Sequence, residues 1–208
     1  MLIDPGLYCR VAARNDFPTP AVFLDRDGVI VEETNYLHRV EEIRMIPQAA
    51  RSIRRLNECG IPVVLITNQA GVGRGYYDWP EFETVQAEIE RRIAPAHLDA
   101  VLACGYHSDG KGALGRDHDF RKPHPGMLQH AARMMNLDLS RSWVIGDKLL
   151  DLEAGIHAGL AGAILVRTGY GREMEAGLDA LRATEIRMEV ADTIAEAVEI
   201  VIGAMGPL

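Results

Sequence analysis

Phe23-Leu24-Asp25-Arg26-Asp27-Gly28 decides how this chain reads. The apolar run Val22-Phe23-Leu24 predicts a short buried strand that ends at Asp25. That places a carboxylate at the carboxyl edge of a sheet, where open α/β folds bind ligands. Gly28 lets the chain turn, so that Asp27 can face the same point as Asp25. One carboxylate of such a pair can bind a metal and attack phosphorus, while the other moves protons to and from a leaving oxygen. An isolated Asp-x-Asp is also an ordinary solvated turn. The remainder of the chain has to separate the two readings.

Three further polar clusters stand at the ends of apolar runs or at a helix start. Ile61-Pro62-Val63-Val64-Leu65-Ile66 ends in Thr67-Asn68-Gln69, followed by the Gly-rich stretch Gly71-Val72-Gly73-Arg74-Gly75. Ser142-Trp143-Val144-Ile145 ends in Gly146-Asp147-Lys148, with Asp151 one helical turn on. Between them, Arg121-Lys122-Pro123-His124-Pro125-Gly126 opens a helix. Strand, polar tip and helix, repeated in order, predict a doubly wound α/β sheet with its site along one edge. Singly, each cluster has a plainer reading. Thr67-Asn68 would be turn residues, Arg121-Lys122 a solvated basic pair, and Asp151 a carboxylate favoured near a helix N-terminus. Four clusters at converging strand tips favour the chemical reading.

In these motifs the chain resembles the haloacid dehalogenase-like (HAD) phosphatases, from about residue 21 to about residue 170. Asp25-x-Asp27-Gly28 matches the first motif, Thr67 the second, Lys122 the third, and Gly146-Asp147 with Asp151 the fourth. Phe-Leu-Asp-Arg-Asp-Gly, Thr-Asn-Gln-x-Gly-x-x-Arg-Gly, Arg-Lys-Pro-His-Pro-Gly-Met and Gly-Asp-Lys further resemble the D-glycero-D-manno-heptose 1,7-bisphosphate phosphatases, with the histidinol-phosphate phosphatases as near relatives. The resemblance implies a three-layer, Rossmann-like fold with a mainly parallel central sheet. It implies Asp25 as nucleophile and Asp27 as general acid and then base. A Mg²⁺ ion would lie on Asp25, Asp147 and the backbone carbonyl of Asp27, and would offset the repulsion between a phosphate dianion and an anionic nucleophile. Thr67 and Asn68 would donate to phosphoryl oxygens, and Lys122 would balance charge on the transferring group. Arg74, Arg121 and Lys148 are the remaining cations expected to face an anionic substrate, with Arg74 suited to a second phosphate or a hydroxyl. Asp151 would orient Lys148 or Lys122, or stand behind the metal's ligands.

The heptose bisphosphate phosphatases also carry a Cys/His loop that binds structural Zn²⁺ before Arg-Lys-Pro. Here the matching region, 104–120, is degenerate. Cys104, His107 and His118 are its remaining soft ligands, with Asp117 or Asp119 as an oxygen candidate, and Phe120 stands where a ligand is needed. Glu32 to His38 is expected to form a flap beside the site. Only residues 28–46 separate Asp27 from the helix near Pro47, and 75–95 read as one helix, so the chain is expected to be capless with an open site.

The length of 208 residues suits a single domain, with 1–20 as an extended surface lead-in carrying Pro5, Pro18 and Pro20. A net charge of −8 argues against nucleic-acid and membrane surfaces, and leaves the local cations to attract a small phosphorylated sugar or metabolite. Three scattered cysteines suggest a reducing compartment, and no apolar stretch reads as a signal peptide or membrane span, so a cytoplasmic monomer is expected. Helices are expected over 47–59, 80–93, 125–135 and 192–205, and two more strands over 100–103 and 163–166. A receiver-like domain that stores phosphoaspartate is the competing class. Asp27 speaks against it, because a second carboxylate should make the phosphoenzyme short-lived.

Overall fold

The computed structural model describes residues 1–181 and 186–206. Eight strands form one sheet: β1 (Leu2–Asp4), β2 (Leu7–Val11), β3 (Val22–Leu24), β4 (Val63–Asn68), β5 (Ala100–Cys104), β6 (Trp143–Gly146), β7 (Gly162–Val166) and β8 (Arg187–Ala191). Their order across the sheet is β1-β2-β5-β4-β3-β6-β7-β8. Strands β3 to β8 run parallel, and β1 and β2 add an antiparallel edge. β3 lies centrally between β4 and β6, so the three strands bearing the quoted acid, Thr and Gly-Asp tips are direct neighbours.

Both faces are covered, which is why the central strands read as unbroken apolar runs rather than alternating ones. Val22, Leu24, Val63, Leu65 and Ile145 face one layer, built from α1 (Ala49–Glu58), α3 (Trp79–Ile93) and α8 (Ile194–Met205). Phe23, Val64, Ile66, Leu102 and Val144 face the other, built on α4 (Gly126–Met135) and α5 (Leu149–Ala158). Short helices α2 (Ala70–Arg74), α6 (Gly171–Met174) and α7 (Leu178–Leu181) follow strand ends. Phe82, Val85 and Ile89 of α3 are fully buried, each worth roughly 1.5–3 kcal/mol of apolar transfer. α3 opens on a capping box, in which Asp78 Oδ1 accepts from Glu81 N and Glu81 Oε2 accepts from Asp78 N.

The architecture is the expected three-layer α/β sheet, and no further domain is inserted after β3 or after β4. Three local expectations change. Residues 1–20 are not merely a surface lead-in, because β2 pairs with β5 from Leu7↔Cys104 to Val11↔Ala100. The alternating pattern Leu7-Tyr8-Cys9-Arg10 earns this place: Tyr8 joins the Trp79–Phe82 aromatic cluster, and Leu7 and Cys9 join the opposite core. Residues 75–95 are not one helix, since Gly75, at φ +71°, ends α2 and the chain restarts at Trp79. α4 starts at Gly126, with Pro125 as its N-cap rather than its first helical residue. No helix among the described residues is long and apolar enough to cross a membrane.

Candidate active site

The parallel strands all end on one side, and their tips surround a cavity of about 350 Å³. Asp25, Asp27, Thr67, Asn68, Arg74, Arg121, Lys122 and Lys148 all line it, together with Glu33, Tyr36 and Tyr170. Lys122 is the electrostatic centre. Its ammonium lies 2.9 Å from Asp25 Oδ1 and 2.6 Å from Asp151 Oδ1, and donates to Ile66 O at 2.9 Å. Burial works to lower its pKa, but Asp151 and Asp25 outweigh that and hold it above the usual lysine value. Asn68 fixes the lysine's backbone from both ends, donating through Nδ2 to Lys122 O and accepting through Oδ1 from Lys122 N. That grip was not foreseen, and it gives Asn68 a holding part beside its place in the lining.

Behind Asp25 stand Asp147 and Asp151, both fully buried. Oxygen atoms of the three carboxylates lie within 4.8 Å of one another, the one such cluster among the described residues. Burial, and then the neighbouring carboxylates, push the Asp147 carboxyl well up; burial and Asp25 raise Asp151 against the pull of Lys122. Asp147 Oδ2 accepts from Tyr170 N at 2.9 Å, while its buried Oδ1 has no hydrogen-bond partner among the described residues. A buried carboxyl oxygen left without a partner is a position that a bound cation would satisfy. The surroundings are shaped to admit this carboxylate. Gly28 sits at φ +85°, and a Cβ there would lie 2.2 Å from Asp147 Oδ2; one on Gly169 would lie 2.1 Å from the same atom. An all-oxygen set of this kind suits a hard divalent ion.

Asp27 stands apart from that cluster. Arg26, 1% exposed, donates from Nε to both of its oxygens at 3.2 and 3.1 Å and from Nη2 to Oδ1 at 3.1 Å. Burial raises the Asp27 pKa, Arg26 pulls it down, and Asp25 raises it again; the net direction is upward. A carboxyl poised this way can hold a proton for a leaving oxygen. Lys148 contacts Glu33 Oε2 at 2.8 Å and lies 4.7 Å from the Tyr170 ring centroid. Arg74 joins the flap to the loop after β5, through Tyr36 OH, His107 Nε2 at 3.2 Å and Asp109 Oδ2 at 3.0 Å. Arg121 Nη1 donates to Tyr106 O at 3.1 Å.

The suggested zinc ligands do not come together. Cys104 is a buried strand residue whose thiol is pushed up to about 11 by burial. His118 stacks on Tyr106 with centroids 4.3 Å apart and accepts from Phe120 N, and His107 is engaged by Arg74 and by Asp109 N. Among the described residues, no three of these candidates bring ligand atoms within 4.8 Å of one another. Sequence reading also passed over Arg26, Gln69, Tyr77 and Tyr170. Gln69 was visible as the third residue of its polar tip, and Tyr170 as part of Arg167-Thr168-Gly169-Tyr170 after β7.

A family model for polynucleotide kinase 3 phosphatases matches residues 23–149, and one for HAD-hydrolase-like proteins matches 119–197. A D-glycero-β-D-manno-heptose-1,7-bisphosphate 7-phosphatase of Mesorhizobium japonicum is 45% identical over 170 residues, covering 79% of this chain and 78% of its own length. The Escherichia coli K12 protein of that name is 37% identical over 72% of this chain and 80% of its own. Among solved structures, D,D-heptose 1,7-bisphosphate phosphatase from B. bronchiseptica, complexed with magnesium and phosphate, superposes with a TM-score of 0.76 at 30% identity, covering 89% of this chain and 99% of that one. With its strand-tip site and these relatives, the chain belongs to the HAD-type phosphatases, phosphoric monoester hydrolases, in the family of the heptose 1,7-bisphosphate 7-phosphatases.

Proposed function

We propose that this chain removes the 7-phosphate of a D-glycero-D-manno-heptose 1,7-bisphosphate through a phosphoaspartate on Asp25. The observation that carries the chemistry is the buried Lys122, set 2.9 Å from Asp25 and 2.6 Å from Asp151 in a cavity lined by cations. Asp25 attacks phosphorus in line, the P–O bond to the sugar breaks, and its electron pair leaves on the sugar oxygen. The Asp27 carboxyl gives that oxygen its proton, then takes one from the water that attacks the phosphoenzyme and frees inorganic phosphate. Lys122 and the Thr67 hydroxyl balance charge on the equatorial oxygens. Asp25, Asp147 and the Asp27 carbonyl would hold Mg²⁺, which when bound neutralises phosphate charge facing the nucleophile. The unpaired Asp147 Oδ1 supports that assignment.

The relatives' names support this substrate, and the lining of the site is compatible with it. Arg74 and Arg121 line the cavity in addition to Lys122 and Lys148, and these cations suit an anionic sugar that exchanges for their present partners. Phosphate release should be measured with Mg²⁺ and with EDTA on both heptose bisphosphate anomers, fructose bisphosphate and histidinol phosphate. A Mg²⁺-dependent preference for a heptose bisphosphate is expected. Equal, weak turnover of the whole panel would overturn the substrate and leave the phosphatase class standing.

A further inference from the structure

Gln69 follows Thr67-Asn68 at the tip of β4, is 2% exposed, and has no part in the chemistry above. All four hydrogen-bonding positions of its amide are filled. Nε2 donates to Asp27 Oδ2 at 3.3 Å and to Thr67 Oγ1 at 2.7 Å. Oε1 accepts from Arg26 Nη2 at 3.3 Å and from the Tyr77 hydroxyl. Only one orientation of the amide satisfies these partners. Reversed, its carbonyl would face the Asp27 carboxylate, and its NH₂ would face the Arg26 guanidinium. The backbone is pinned as well, with Gln69 N donating to Cys104 O at 2.7 Å. Tyr77 is 5% exposed and seated tightly: a Cβ on Gly71 would lie 2.1 Å from its ring, and His38 stacks on it with centroids 5.6 Å apart.

We propose that Gln69, locked by Tyr77, is a positioning residue for two catalytic groups at once. It and Arg26, hydrogen-bonded to each other, both donate to the Asp27 carboxylate, so turning that group would break bonds to both. Because Gln69 donates to Thr67 Oγ1, the hydroxyl does not spend its proton on Gln69 and keeps it for a phosphoryl oxygen. The buried network thereby fixes the acid and a phosphate donor in one frame. This inference rests on the reading of Asp27 as the acid for the leaving group.

The test compares kcat/KM for a primary alkyl phosphate, whose alkoxide needs a proton to leave, with that for p-nitrophenyl phosphate, whose phenolate does not. The full chain is used with Mg²⁺. Gln69→Met, similar in length and without polar atoms, should lower the alkyl-to-aryl ratio about tenfold, a share of the roughly 10²–10⁴ that general acid–base catalysis supplies. Tyr77→Phe, which deletes one oxygen, should lower the ratio in the same direction by a smaller factor, and it carries the test alone if Gln69→Met does not fold. In an Asp27→Asn background neither change should move the ratio further, because residues acting as one unit are not additive. Equal losses on both substrates, or a further fall of the ratio on top of Asp27→Asn, would overturn the proposal. If Asp27→Asn itself leaves the ratio unmoved, the acid assignment falls and this inference with it. If Asp27→Asn moves the ratio and neither Gln69→Met nor Tyr77→Phe does, the inference alone falls.

Discussion

Replacing Asp147 with Asn should raise the stability of the metal-free protein while abolishing its response to Mg²⁺. Asp147 is fully buried, its Oδ1 has no hydrogen-bond partner among the described residues, and two more buried carboxylates stand within 4.8 Å. Burial and those neighbours raise its pKa above the ordinary value of about 4 that it has in the unfolded chain. A carboxyl raised on folding contributes a penalty that is absent below the unfolded pKa and grows as pH climbs towards the folded one. Near neutrality most of that penalty is present unless a cation offsets it. Asn keeps the shape and the acceptor for Tyr170 N, removes the charge, and offers an NH₂ to the neighbouring carboxylates. Relief of about 1–3 kcal/mol is expected, the scale of an unpaired buried polar group. For a domain of this size that is a rise of about 2–4 °C in melting temperature per kcal/mol. The wild type should instead gain about 2.7 kcal/mol when free Mg²⁺ reaches 100 times its Kd. Thermal melts at pH 7.5 in EDTA and over a Mg²⁺ series would read both effects, with phosphate release run alongside. A metal-free variant that melts at or below wild type, or an equal Mg²⁺ shift in both proteins, would refute the reasoning.

Lys122→Met should strand Asp25 and Asp151 without their shared cation, costing about 3–5 kcal/mol as breaking a buried ion pair does, with phosphate release lost. Denaturant melts at pH 7.5 and 5 check the cause, since burial raises Asp151 and protonating it should recover part of the loss. Gly28→Ala should cost about 1–3 kcal/mol from its positive φ, and more from the contact with Asp147. Calorimetric titration should find weaker Mg²⁺ binding to this variant than to wild type.

The central strands and the acids at their tips were legible because each is written locally. Val22-Phe23-Leu24 and Val63 to Ile66 are continuous apolar runs, and the polar residue that ends each run needs no distant information to be noticed. Two features were hidden, each because it depends on contacts far apart in sequence. The place of β2 in the sheet is set by pairing with β5 across 89 to 97 residues. Asp151 could be assigned to Lys122 only once α5 and the loop before α4 stood together, with Lys122 Nζ 2.6 Å from Asp151 Oδ1. The expected zinc ligands show that nearness in sequence does not by itself gather side chains. Cys104, His107 and His118 are close in sequence, but β5 buries the first while stacking on Tyr106 takes the last. Arg26 shows the same limit from the other side: a charged residue between two acids reads as solvated, yet it is 1% exposed and holds Asp27.

The central claim is that Asp25 carries the phosphoryl group. It is tested most directly by mixing the Mg²⁺-loaded protein with excess heptose 1,7-bisphosphate, quenching in acid within milliseconds, and mapping the phosphoryl group by peptide mass spectrometry. The account predicts one added phosphoryl group on the peptide containing Asp25, none in Asp25→Asn, and heptose 1-phosphate as the sugar product. Turnover without any Asp25-bound phosphoryl group, or with undiminished rate in Asp25→Asn, would contradict it.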